Sequence, residues 1–245
     1  MHTKVRLLGV DIDCLTMEQC VGFVVKMIES GKSGNVITLN PELLYRAVHG
    51  EPDINRLIAE ANLVTPDGVG IVWAGKQAGY SFPERVTGID LMFSLTERAA
   101  SLGWKVFLFG ASPGVAEEAA VRLCSLYPGL SIVGTRHGYF KPAEETDIVQ
   151  TIKEKAPQLL FVALGAPAQE KWIDRNLKEI GATVAIGVGG SLDVISGHVE
   201  RAPAWMRKLK IEWLGRLIRE PSRWRRMLVL PKFAWLVIKT YRFRS

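Results

Sequence analysis

The chain has 245 residues, 48% of them hydrophobic and 23% charged, a composition that supplies a sizeable core and excludes a disordered or low-complexity protein. Its net charge of +6 hides an asymmetry: residues 201–245 carry 13 Lys and Arg against 2 acids, and residues 1–200 carry 18 against 23. Three cysteines (Cys14, Cys20, Cys124) without a C-x-x-C exclude a disulfide framework and suit a reducing cytosol, and neither a signal peptide nor the roughly 20 apolar residues of a membrane span is expected.

In chain order, "VRLLGVDI" reads as a strand, and Thr16 with Gln19 forms a capping-box pattern before a helix carrying Cys20, Val21, Val24, Val25 and Ile28. "NVITLN" is a strand, and Pro41 suits the first turn of a helix through Val48. A helix near Ile54–Ala61 leads to the short strand "LVT", the turn "PDGVG" and a helix through Ala78. Ile89–Leu102 is helical. "KVFLFG" is a strand followed by "GASPG" and another helix, and "LSIVG", "LLFVALG" and "TVAIGVGG" are buried-strand runs, the last two separated by a helix over Gln169–Ile180. Strand, loop and helix in repeated order predict an α/β fold: a parallel Rossmann-like sheet with helices on both faces.

Ligands of such sheets bind beyond the carboxyl ends of the strands. The polar and glycine-rich stretches fall there: "TLNPE" (38–42), "TPDGVG" (65–70), "GASPG" (110–114), "LGAPAQE" (164–170) and "GVGGSLD" (187–193). Gly110 opens a loop suited either to an anion at the next helix N-terminus or to a plain strand-to-helix turn. Gly189 and Gly190 suit either close approach to a sugar or diphosphate or tight packing. Asp67, between Pro66 and Gly68, is either the N-cap of the next helix or a general base on the rim. "PERVTGIDL" supplies Arg85 and Asp90; Arg85 suits a carboxylate or phosphate, or a surface ion pair. Asp11 and Asp13 make a D-x-D, but no further hard ligands stand nearby, so no metal site is assigned.

The C-terminal segment predicts two parts: 1–197 as a core, 198–245 as a basic aromatic appendage. Trp205, Leu209, Trp213 and Leu217 recur every four residues, an amphipathic helix. Further on, Trp224, Phe233, Trp235, Tyr241 and Phe243 alternate with seven cations, and Pro231 and Lys232 interrupt the apolar run. That dress predicts a segment lying in an anionic bilayer interface rather than docked on the core. Its aliphatic content argues against a nucleic-acid partner, and the first strand lacks the glycine fingerprint of a dinucleotide-binding oxidoreductase.

"TLNPELL", "TPDGVGIVW", "RVTGIDL", "HGYF", "LGAPAQEKW", "GVGGSLDVISGHVERAP" and "EWLGRLIREPSR" stand in the order seen in the WecG/TagA/CpsF family, glycosyltransferase family 26, which the chain resembles over nearly its whole length. The resemblance implies an inverting transfer from a UDP-sugar to a polyprenyl-diphosphate-linked sugar, at the inner face of a bacterial plasma membrane; the lack of a metal-ligand cluster in the sequence adds the expectation that no cofactor or metal is used, with arginines in its place. "TLNPE" with "TPDG" looks nearest to the N-acetylmannosaminyltransferases of teichoic acid synthesis; UDP-glucose or a uronic acid donor is the alternative within the family. It implies Asp67 as base, Thr38, Asn40, Arg85 and Gln169 as pocket lining, and Arg216, Arg223 and Arg226 as appendage arginines brought to the active site. The core, stripped of the appendage, is expected to expose a surface for self-association.

Overall fold

The computed structural model describes residues 3–181, 184–201, 203, 206 and 224–242. The strands are β1 (Lys4–Leu7), β2 (Val10–Asp13), β3 (Gly34–Leu39), β4 (Leu63–Pro66), β5 (Lys105–Gly110), β6 (Ser131–Arg136), β7 (Leu159–Ala163) and β8 (Val184–Gly187). The helices are α1 (Met17–Glu29), α2 (Pro41–Val48), α3 (Pro52–Glu60), α4 (Val69–Gln77), α5 (Gly88–Leu102), α6 (Val115–Leu126), α7 (Glu145–Lys155), α8 (Ala168–Ile180), α9 (Ser191–Ser196), α10 (Trp224–Met227) and α11 (Val229–Arg242).

Six strands form one parallel sheet in the order β4-β3-β8-β7-β5-β6. Side chains alternate across a strand, so neighbouring residues enter different layers. Val36, Leu63, Val106, Leu159 and Val184 face a layer of α1, α5, α6 and α9. Ile37 and Val64 face α2, α3 and α4, and Phe107, Leu160 and Ala185 face α7 and α8. Both faces are thus covered, as the continuous apolar runs predict.

The sheet order places the site. β5 and β7 are neighbours, but the chain leaves β5 towards α6 on one face and β7 towards α8 on the other. β3 and β8 are also neighbours, leading to α2 and α9 on opposite faces. Reversals of this kind are where parallel sheets receive ligands, beyond the carboxyl ends of the strands.

Two expectations are corrected. "VRLLGVDI" is not one strand but the antiparallel pair β1–β2, with Leu7 opposite Val10. Leu8 and Gly9 both take positive φ, 51° and 87°, the geometry of a tight two-residue hairpin turn. Asp13, at the end of β2, is fully buried; it accepts the Val64 N–H (2.7 Å) at the free edge of β4 and pairs with Lys4 (3.4 Å), a structural use of half of the D-x-D.

The second correction concerns the C-terminal aromatics. α11 packs against α2 and α4, with Phe233 2% exposed and Val237 fully buried in the same cluster as Leu39, Leu43 and Ile71. The Leu8 N–H donates to Tyr241 Oη (2.8 Å), tying the far end of α11 to the hairpin turn. Phe233 and Tyr241 therefore dock on the core. Pro231 does not break α11, because it stands in the first turn, where backbone N–H groups have no intrahelical acceptor. The outward stripe of the helix is Lys232, Trp235 (62% exposed) and Lys239, with the Lys239 Nζ 4.9 Å over the Trp235 ring. The predicted helix over Trp205–Leu217 lies outside the described residues, apart from Met206. Among the described residues no helix is long and apolar enough to cross a membrane.

Candidate active site

The rim is built outward from β4 and β3. The Asp67 N–H donates to the Leu39 carbonyl (2.9 Å), extending the ladder one residue past the sheet. Asp67 is not the N-cap of α4; that position is Gly68, at φ 89°, without a side-chain cap. The carboxylate instead accepts the Gly88 N–H at the start of α5 (3.4 Å), a half-buried oxygen pair held at a helix N-terminus. The next strand supplies Thr38, which is buried and donates its Oγ1 to the Gly187 carbonyl (3.1 Å). A Cβ on Gly88 would stand 3.2 Å from Thr38 Oγ1, so this glycine lets α5 close onto β3. Asn40 caps α2, its Oδ1 accepting from Leu43 N (2.9 Å).

On the β8 side of the rim, Gln169 supports the turn that follows the strand. Its Oε1 accepts the Gly189 N–H (3.0 Å), its Nε2 donates to Glu170 Oε1 (2.8 Å), and a Cβ on Gly187 would run into that nitrogen. Packing is thus the use of Gly187. Gly189 adopts φ 52° beside Gly190, turning the chain into α9. Gly110 ends β5 at φ 123°, where a Cβ would sit 2.5 Å from the Ala163 carbonyl. Its loop is tied to "HGYF" through the Gly138 N–H on the Ala111 carbonyl (2.9 Å).

Thr38, Asp67, Gln169, Gly189 and Gly190 are therefore brought onto one hydrogen-bonded rim, and Gly110 joins it across β7. Asp90 sits in the first turn of α5, with Oδ2 accepting from Thr87 Oγ1 (2.6 Å) and Oδ1 paired with Arg201. Burial works to raise its carboxyl, but the Thr87 hydroxyl, Arg201 and then Arg85 prevail and hold it below the ordinary carboxylate value. Arg201 is the residue that sequence reasoning missed; the only signal is its place directly after "GHVE", a charge returning to the core from beyond α9. Glu170 was likewise missed. Arg216 and Arg223 lie outside the described residues, as does the side chain of Arg226. Arg226 itself belongs to α10, immediately before α11. Phe233, one helical turn into α11, stands beside Gly70 and hence beside Pro41, at the first turns of α4 and α2. Tyr241, about two turns further along α11, reaches the hairpin turn.

The arrangement offers a carboxylate for a hydroxyl proton, glycine turns for close approach of an extended anion, and cations at the edge. A family model described as "Glycosyl transferase WecG/TagA/CpsF family" matches residues 5–245. Three similar proteins, each bearing the name N-acetylglucosaminyldiphosphoundecaprenol N-acetyl-beta-D-mannosaminyltransferase, come from Bacillus spizizenii, Bacillus subtilis and Staphylococcus aureus. The first is 36% identical over 86% of this chain and 81% of its own length, the second 36% over 89% and 85%, and the third 36% over 98% and 94%.

Proposed function

The chain belongs to the WecG/TagA/CpsF glycosyl transferase family, and on that footing we propose that it transfers N-acetylmannosamine from its UDP-sugar to N-acetylglucosaminyl-diphosphate-polyprenol, with inversion, for teichoic acid or a related cell-surface polymer. The observation that carries the reading is Asp67: a carboxylate on the strand-end rim, anchored at the α5 N-terminus within the cluster that holds Thr38 and the β8 turn. The relatives' names supply the donor sugar and the lipid acceptor.

In this mechanism the acceptor hydroxyl oxygen attacks the anomeric carbon as the bond to the UDP oxygen breaks, and the hydroxyl proton passes to Asp67. The departing UDP carries the negative charge away, stabilised by cations: Arg85 on the core side, and Arg216, Arg223 and Arg226 from the C-terminal segment. The seat of Phe233, seven residues after Arg226, beside the first turns of α2 and α4 supports that second source. Lys232, Trp235 and Lys239 on the outward stripe of α11 support peripheral docking on an anionic membrane, where the lipid acceptor resides.

Asp67→Asn tests the assignment. Asparagine keeps an oxygen for the Gly88 N–H but cannot take the proton. Transfer to a short-chain, soluble acceptor should fall by about 10²–10⁴-fold with UDP binding retained, and a variant keeping about half its rate overturns the base assignment.

A further inference from the structure

The first turn of α8 points into the protein. Gln169 and Glu170 are each 4% exposed, although they are among the most polar side chains of the sequence. Glu170 takes one hydrogen bond on Oε1 from Gln169, while its Oε2 is buried without a hydrogen-bond partner among the described residues. Desolvation pushes its carboxyl above the ordinary value, with a smaller push from Glu42 on α2; the Gln169 amide and the backbone N–H of Glu170 oppose this. A buried carboxyl with no cation beside it among the described residues favours its neutral form.

The partner of this acid is a side chain whose orientation matters. A glutamine amide has nearly the same shape with its oxygen and nitrogen exchanged, so sterics alone do not orient it. Here the oxygen must face the Gly189 N–H, because two donors cannot share that contact. An acceptor against the other end reinforces that choice, and Glu170 Oε1 stands there at 2.8 Å from Nε2. The Gly189 turn is held from its other side by Thr38 Oγ1 on the Gly187 carbonyl. The lack of a side chain at Gly187 gives the amide its place against the strand.

We propose that Glu170 is a positioning residue: it orients the Gln169 amide, and through it sets the Gly187–Gly190 turn against the diphosphate of the nucleotide. The inference rests on the reading of the protein as a UDP-sugar transferase. It assigns Glu170 no proton transfer and no contact with substrate, and it moves Gln169 from lining a pocket to supporting one wall of it.

The test is UDP binding by titration calorimetry on the full chain, so that no lipid acceptor or donor sugar is needed. The variants are E170Q, E170L, Q169A and the double variant Q169A/E170L. The glutamine in E170Q is neutral and offers an oxygen to the Gln169 amide, so its affinity should stay within about twofold of the parent. Leucine fills the space without an acceptor, and E170L should bind about tenfold more weakly. Q169A should lose a similar factor, and the double variant should be no worse than Q169A, because both act through one contact. Hydrogen exchange over residues 187–190 should be faster in E170L and unchanged in E170Q, which keeps the proposal testable should calorimetry on E170L be limited by folding. Equal losses in E170Q and E170L would show that the charge itself is used, and multiplied losses in the double variant would show independent roles; either overturns the proposal, as does parental affinity in E170L. A parent chain that does not bind UDP removes the transferase reading and this inference with it, whereas UDP binding without the variant pattern removes this inference alone.

Discussion

Phe233→Ala should release α11 from the core while leaving the sheet folded. Phe233 is almost wholly buried between α2 and α4, and removing such a ring typically costs about 3–5 kcal/mol. Other ties of α11 include Val237, the Tyr241 ring and the Leu8–Tyr241 hydrogen bond, the last worth about 1 kcal/mol. Phe233 is the largest of the buried side chains that hold the helix, so its loss favours local undocking before global unfolding. Hydrogen exchange and limited proteolysis should show lost protection across 229–242 with the α8 and β7 peptides still protected. Trp235→Ala, on the exposed stripe of the same helix, should change stability by no more than about 0.5 kcal/mol yet weaken binding to anionic liposomes, more so at low salt when combined with Lys232→Ala and Lys239→Ala. The opposite pattern, with Phe233→Ala silent on protection and acting only on liposome binding, would refute the docking and return α11 to the bilayer as a whole.

Thr38→Val keeps the shape but leaves the buried Gly187 carbonyl without its hydroxyl, so stability should fall by about 1–3 kcal/mol and transfer with it, read by urea unfolding and by product assay. Arg201→Ala should cost no more than about 1 kcal/mol, as the pair with Asp90 is partly exposed, and should lower transfer more than stability because the C-terminal segment starts there. The Asp90 carboxyl is held low in the folded chain, so its stabilising contribution is present above the ordinary carboxylate range and fades as pH falls through the depressed value; Arg201→Ala should flatten that acid limb. Glu170 runs the other way: its carboxyl is raised, so its stability contribution is complete below the ordinary glutamate value and is lost as pH rises through the folded one. E170Q should match the parent near pH 4 and exceed it in melting temperature at pH 8, and an unchanged difference across that range would contradict the buried-acid assignment.

The sheet was legible because parallel strands covered on both faces must be apolar on both, and runs such as "VFLF" and "LLFVA" say so directly. The rim was legible because glycine and proline punctuate the strand ends. The hairpin was not, since its turn begins with Leu8, a residue that disfavours positive φ and gives no turn signal. α7 leaves little trace because Ile148, Val149 and Ile152 are diluted among charged residues. In α11 the cations that face outward masked the two core contacts four residues apart, Phe233 and Val237, and a first-turn proline looked like a break. At the site, Asp67 could be placed from its neighbours, but whether it capped α4 or turned to α5 depended on Gly88, 21 residues on. Arg201 and Asp90 are 111 residues apart, and no local pattern encodes such a pairing.

On the proposed function, this chain makes the glycosidic bond for which its relatives are named, with Asp67 as the base. The most direct measurement incubates the purified chain with UDP-N-acetylmannosamine and a short polyprenyl-diphosphate N-acetylglucosamine, and reads the lipid product by mass spectrometry and its linkage by NMR. The account predicts the gain of one N-acetylhexosamine in β linkage, reduced by at least about 10²-fold in Asp67→Asn. No product from the parent chain, or equal product from the two, would contradict it.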